Sequence, residues 1–209
     1  MTAVAVNRDT TVDWMRRFAQ EMAEHRQELV ELDTAIGDGD HGTNMDRGMR
    51  KAMEKLAESA PGDPGAVLKT VAMALVSSVG GAAGPLYGTL LLQMGNALAN
   101  RDEVDVVTFA AAWRRGLDGV VARGKAQPGD KTMVDALTPA VHALEQAHDL
   151  DGGLVEAAQA AEQGMYATTP LVARRGRASY LGERSAGHQD PGATSSYYLL
   201  RSAVAALAD

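Results

Sequence analysis

The chain has no cysteine among its 209 residues. That excludes disulfides, thiolate metal sites and a cysteine nucleophile. Aromatic residues make up only 4% of it, while alanine is abundant, a balance that favours closely packed helices over sheets. No run of about 18 apolar residues occurs, and no signal-peptide pattern opens the chain. No membrane span is therefore expected, and a cytoplasmic location is the default. Acidic residues outnumber basic ones, leaving a net charge of −7, so no positive field exists to attract a nucleic-acid backbone. A Walker motif is also missing, because the glycine-rich stretch Gly80 to Gly84 is not followed by Gly-Lys-Ser/Thr.

What is present is a 45% apolar chain of a length that suits one domain spanning residues 1–209. The periodicity predicts eight helices and no strand. The first is capped by Thr10 or Thr11 and carries Val12, Met15, Phe18, Met22, Leu29 and Leu32 at helical spacing. The second runs from about Thr43 to Ser59. Asp63-Pro64 opens the third, with Asp as cap and Pro at the first helical position. The fourth runs from about Pro85 to Ala99. The fifth starts at Asp105 or Thr108, the sixth at Thr132 and the seventh at Asp151. The segment Thr168 to Gln189 has no clear period. Asp190-Pro191 repeats the cap signal and opens the last helix.

The loops divide into two kinds. Those around Ala60 to Asp63, Asn100 to Val104 and Asp149-Leu150 are short and chemically plain. Those at Asp33 to Gly42, Gly80 to Gly84, Arg123 to Lys131 and Thr168 to Gln189 hold the glycine-rich and charged sequence. In an up-and-down helical arrangement alternate loops share an end. All four unusual loops are then expected at one mouth.

Each of these loops has a plain reading and a chemical one. Asp33, Asp38 and Asp40 are either an acidic, helix-capping turn or the oxygen ligands of a hard cation. An EF-hand fits poorly, since its third position would be Ala35 and its twelfth Asn44. Mg²⁺ held by a few carboxylates and phosphate oxygens fits better. A helix starting near Gly42 would add N–H groups that favour an anion. Gly80 to Gly84 is either a backbone cradle for phosphate or a tight helix–helix turn. Gly124, Gly129, Lys125 and Lys131 form a solvated turn or a ring contact completed by Met133. Arg174, Arg175, Arg177 and Arg184 are a solvated basic loop or a phosphate clamp, and the loop's length favours function. His25, His142 and His148 read as incidental surface residues, unlike His41, which lies inside the acidic loop.

Four motifs in order carry a resemblance: DTAIGDGDHGTN from Asp33 to Asn44, SSVGGAAGPLYG from Ser77 to Gly88, GDKTMVD from Gly129 to Asp135, and GRASYLGERSAGHQDPGAT from Gly176 to Thr194. Together they resemble the L subunit of bacterial dihydroxyacetone kinase, over nearly the whole chain. The resemblance implies an all-α fold, a closed barrel of eight antiparallel up-and-down helices with the nucleotide, ADP or ATP, at one end. It implies two Mg²⁺ ions on Asp33, Asp38 and Asp40. It places His41, Gly42, Thr43 and Asn44 along the phosphates, and Ala82 and Ala83 against the nucleotide. Gly124 and Met133 contact its adenosine part, and Arg177 with Asp190, Pro191 and Gly192 closes the site. With the three aspartates, Arg177 is expected to act in the phosphoryl transfer. The family often has serine where this chain has Ala83, so any hydroxyl contact there is lost.

The resemblance also implies partners. A separate K subunit holds dihydroxyacetone. In one branch ADP stays bound and is rephosphorylated by the phosphohistidine-carrying M subunit of the phosphoenolpyruvate phosphotransferase system. In another branch the K and L domains are fused and ATP exchanges freely. The alternative reading is therefore the L subunit of an ATP-dependent kinase with exchangeable ATP, acting on another small ketose or polyol. A non-enzymatic alternative is a Ca²⁺-binding helical interaction module. The sequence leaves a homodimer open.

Overall fold

A computed structural model describes residues 5–208 of the chain. The described residues form nine α-helices, one 3₁₀ helix and a two-residue antiparallel strand pair. The strands β1 (Val6–Asn7) and β2 (Glu103–Val104) pair Val6 with Val104. A pair that short leaves no alternation for a sequence pattern to reveal.

Helix α1 (Arg8–Glu24) starts two to three residues before the expected threonine caps. Asn7 is the cap: its side chain accepts the N–H groups of Asp9 and Thr10, and Thr10 Oγ1 accepts the N–H of Asn7 at 3.0 Å. Thr10 thus belongs to the capping box from its third position. The expected first helix is broken at His25, and α2 (Arg26–Ile36) continues it. No glycine or proline marks the break. His25 is held there from the other end of the chain: its ring stacks on Tyr198 at 4.3 Å, its Nε2 lies 3.0 Å from Arg201, and its Nδ1 lies 2.7 Å from Glu28. His25 is therefore a partnered residue rather than an incidental one.

The remaining helices are α3 (His41–Ser59), α4 (Pro64–Ser78), α5 (Ala83–Ala97), α6 (Val106–Gly124), α7 (Met133–Gln146), α8 (Leu150–Ala167) and α9 (Pro191–Leu207). Asp63, Asp105, Thr132 and Asp190 cap their helices through side-chain acceptors. Asp149, two residues before the expected Asp151, caps α8. The long segment after α8 contains a 3₁₀ helix at Arg177–Ser185, interrupted at Gly182.

Helices α3 to α9 each pack against the next in sequence, and α9 returns to α1, which also packs against α3. The interior is apolar: Trp14, Phe109 and Trp113 cluster with ring centroids 5.8 to 6.3 Å apart. Trp14 Nε1 donates to the Leu199 carbonyl at 2.9 Å, so its buried N–H is satisfied. Close approach of α4 and α5 rests on glycine. A Cβ on Gly65 would lie 2.4 Å from the Gly95 carbonyl oxygen.

Candidate functional site

The acidic loop is built by the meeting of two helix ends. Asp33 sits in the last turn of α2, and its Oδ2 accepts the N–H groups of Asp40 at 2.8 Å and His41 at 3.1 Å. It thereby caps α3 from outside, because Asp40 makes no side-chain cap of its own. Helix α3 begins at His41, two residues before the expected Thr43. Gly37 has no room for a side chain, since a Cβ would fall 2.1 Å from Asp33 Oδ1. Gly39 turns the chain with φ +73°.

This geometry brings one carboxylate oxygen from each of Asp33, Asp38 and Asp40 within 4.8 Å of one another. Three like charges at that spacing repel unless a cation lies among them. The donor set is all oxygen, which suits Mg²⁺ or Ca²⁺. Arg177 also reaches the cluster, with a guanidinium nitrogen 3.0 Å from Asp38 Oδ2.

The four unusual loops line one cleft. A cavity of about 190 Å³ is walled by Asp33, Asp38, Asp40, His41 and Asn44 on one side. Gly80 to Ala83, Lys131 to Met133, Arg175 to Ala178 and Asp190 to Gly192 complete it. A second cavity of about 250 Å³ adjoins it and shares Ala82, Leu86, Thr132, Met133, Arg175 and Gly176. Its further lining is mainly apolar, with Pro85, Val120, Ala126 and Val134 beside Gly124 and one charged residue, Arg123. The cleft therefore has a charged end and an apolar end, joined at Ala82 and Met133.

Most of the expected site residues line these two cavities. Gly42 and Thr43 do not. Gly42 is buried against α2, where a Cβ would meet the Arg26 carbonyl oxygen at 2.1 Å, and the Thr43 side chain is exposed. The N–H groups of this first turn of α3 lack intrahelical acceptors.

Several residues of the cleft carried no signal in the sequence. Tyr87 is buried and its hydroxyl lies 2.7 Å from Ser195 Oγ and 3.1 Å from Ser196 Oγ. Ser195 Oγ in turn lies 2.9 Å from His41 Nε2, which fixes the His41 ring. Burial lowers the His41 pKa, against the pull of Asp33 and Asp40. Burial likewise raises the Tyr87 hydroxyl well above its ordinary range. The Asp190 carboxyl is pushed up to about 7, by burial first, although it accepts the Ala193 N–H at 2.7 Å. Ser195 lies 154 positions from His41 and 108 from Tyr87, so only the folded chain joins them.

Comparison with known proteins bears on this cleft. A family model described as the DAK2 domain matches residues 35–205. The ADP-binding subunit DhaL of the PEP-dependent dihydroxyacetone kinase of Escherichia coli (strain K12) is 43% identical over 202 residues, covering 95% of this chain and 96% of that protein. The corresponding subunit of PEP-dependent dihydroxyacetone kinase 1 of Listeria innocua is 45% identical over 193 residues, covering 92% and 93%. Among solved structures, the dihydroxyacetone kinase from C. freundii in complex with AMP-PNP and Mg²⁺ is similar with a TM-score of 0.73. It is 23% identical, and the match covers 95% of this chain and 34% of that one, a likeness of fold.

Proposed function

The chain belongs to the DAK2-domain family, and on that premise we propose how its cleft works as the ADP-binding part of a PEP-dependent dihydroxyacetone kinase. Its relatives of equal length are named as ADP-binding subunits of that kinase. The single observation that carries the reading is the division of one continuous cleft into a three-carboxylate end and an apolar end. A nucleoside diphosphate has the same division, with phosphates at one end and a flat base at the other.

In this reading Asp33, Asp38 and Asp40 hold two Mg²⁺ ions, and the first turn of α3 with Asn44 faces the phosphates. Ala82 and Ala83 lie along the nucleotide, and Gly124, Leu86 and Met133 pack on the adenosine. When bound, Mg²⁺ supplies positive charge that offsets the phosphates. Arg177 adds a guanidinium at the same end, and Asp190 to Gly192 form the wall opposite α3. Phosphoryl transfer asks the protein mainly for positioning and charge. No residue of the cleft is needed as a base toward the sugar, which agrees with an acceptor held on a separate K subunit. The donor in this reading is the phosphohistidine of an M subunit, with ADP kept in place. The helix packing order, closed by α9 on α1, supports a closed barrel whose first stave is α1 and α2 together.

Reconstitution tests this. The chain is mixed with the K and M subunits of a PEP-dependent system, PEP and dihydroxyacetone, and dihydroxyacetone phosphate is measured. The expected result is product that needs all three proteins and no added nucleotide. Product made from free ATP without the M subunit would instead favour the ATP-exchanging reading. Ca²⁺ binding with no ADP affinity would favour the interaction module.

A further inference from the structure

The segment Thr168 to Gln189 carries Arg175 and Arg177 to the cleft and leads into Asp190 to Gly192. It is long and partly exposed, and beyond Thr168 its packing is confined to Ala173 and Ala178, which with Leu181 form a small cluster on Ile36, and to the buried Ser185. Something must hold its two roots together. Lys131 does so from a different loop.

Lys131 is 1% exposed and sits at φ +64°, a backbone conformation unusual for lysine. Its Nζ donates to the Thr168 carbonyl at 2.7 Å, to the Thr169 carbonyl at 3.4 Å and to the His188 carbonyl. The first two oxygens are at the C-terminal end of α8, where the helix dipole favours a cation. The third is at the other root of the segment. An ammonium has three protons, and all three go to backbone carbonyls at the neck. Other bonds gather at the same place. Gly187 N–H donates to the Thr169 carbonyl at 2.8 Å, Asp190 N–H to Thr168 Oγ1 at 3.0 Å, and Arg174 N–H to the Asp130 carbonyl at 3.0 Å.

We propose that Lys131 is a positioning residue that clamps the neck of the Thr168 to Gln189 loop, holding Arg177 and Asp190 to Gly192 at the cleft and slowing the departure of bound nucleotide. The nucleotide half of this statement rests on the function proposed above. The clamp itself does not. The ammonium bridges the loop's entry and exit, so its loss loosens both roots at once and leaves the Arg174, Gly187 and Asp190 N–H bonds and the Ile36 contact as the remaining ties.

Two measurements without nucleotide judge the clamp. In the unmodified protein, hydrogen exchange should find the amides of Arg174, Gly187 and Asp190 more protected than those of Arg177 to Ser185. Equal exchange at neck and loop would overturn the proposal. In Lys131→Met, trypsin should cut at Arg174, Arg175, Arg177 or Arg184 about tenfold faster while the helical body stays resistant. Because the chain has no cysteine, Lys131→Cys can be aminoethylated while unfolded and refolded, which restores an ammonium at nearly the original length. That product should regain resistance, and unmodified Lys131→Cys should not. If ADP is bound, its dissociation should quicken about tenfold in Lys131→Met and recover on aminoethylation. An intact, trypsin-resistant loop and an unchanged ADP off-rate in Lys131→Met would refute the clamp. Wild-type protein that binds no ADP would refute the nucleotide reading and leave the clamp to the exchange and proteolysis results.

Discussion

Replacing Asp40 by Asn should stabilise the empty protein and weaken its hold on Mg²⁺ and ADP. Asp40 is the cleanest of the three acids to change. Asp33 accepts two backbone N–H groups and Asp38 pairs with Arg177, whereas Asp40 is exposed and caps nothing. Asn keeps the shape and removes one charge. The oxygens of the three acids lie within 4.8 Å of one another, so each pair that includes Asp40 repels by ~0.9 kcal/mol at the dielectric constant of water. Two such pairs, reduced by salt, leave about 1 kcal/mol. For a chain of this length that raises the melting temperature by about 2–4 °C. With Mg²⁺ and ADP the sign reverses, because a ligand is lost. A tenfold weaker complex forfeits about 1.4 kcal/mol of ligand-induced stabilisation at fixed ligand concentration. Thermal melting of nucleotide-stripped protein, in EDTA and then with Mg²⁺ and ADP, reads both effects. A variant that melts no higher than wild type in EDTA, or that gains as much from Mg²⁺ and ADP as wild type does, would rule out Asp40 as a repelling, cation-binding carboxylate.

Three further outcomes follow from the same geometry. Asp190 is buried with its carboxyl raised from 3.8 to about 7, so the folded state holds that proton more tightly than the unfolded chain. Its protonated form favours folding below pH 4, and that advantage is lost as pH rises from about 4 to about 7. Asp190→Asn, which can still cap α9, should gain on wild type across that window by up to ~4 kcal/mol, read from denaturant midpoints at a series of pH values. Gly65→Ala should destabilise by about 2–3 kcal/mol, because the new methyl meets backbone rather than a flexible side chain, with ADP affinity of the folded fraction unchanged by calorimetry. Met133→Ala empties part of the wall between the two cavities. It should weaken ADP about tenfold and leave inorganic phosphate competition unaltered.

Much of the architecture could be read before folding, because it rests on local signals. Asp63-Pro64 and Asp190-Pro191 announce their helices, and Thr132 announces α7. The convergence of four loops followed from their alternation along the chain, and the cavity lining draws on all four. Where the reading failed, the cause was distant in sequence. The break at His25 depends on Tyr198 and Arg201. The Tyr87, Ser195 and His41 contacts depend on α5 and α9 meeting α3. The Arg177–Ser185 helix has no period of its own and is held at its roots by Lys131. The tight contact of α2 with α3 at Gly42, where a Cβ would meet the Arg26 carbonyl oxygen, likewise joins residues that no local pattern links.

In the function proposed above, the three-carboxylate end and the mainly apolar end of one cleft together hold ADP through Mg²⁺. The most direct test is to purify the protein in Mg²⁺, remove small molecules, denature it and quantify the released nucleotide, then repeat after an EDTA wash. Close to one ADP per chain is expected in Mg²⁺, and its loss after EDTA. Protein that releases no nucleotide, and that takes up none when titrated with Mg²⁺ and ADP, would contradict the proposed function.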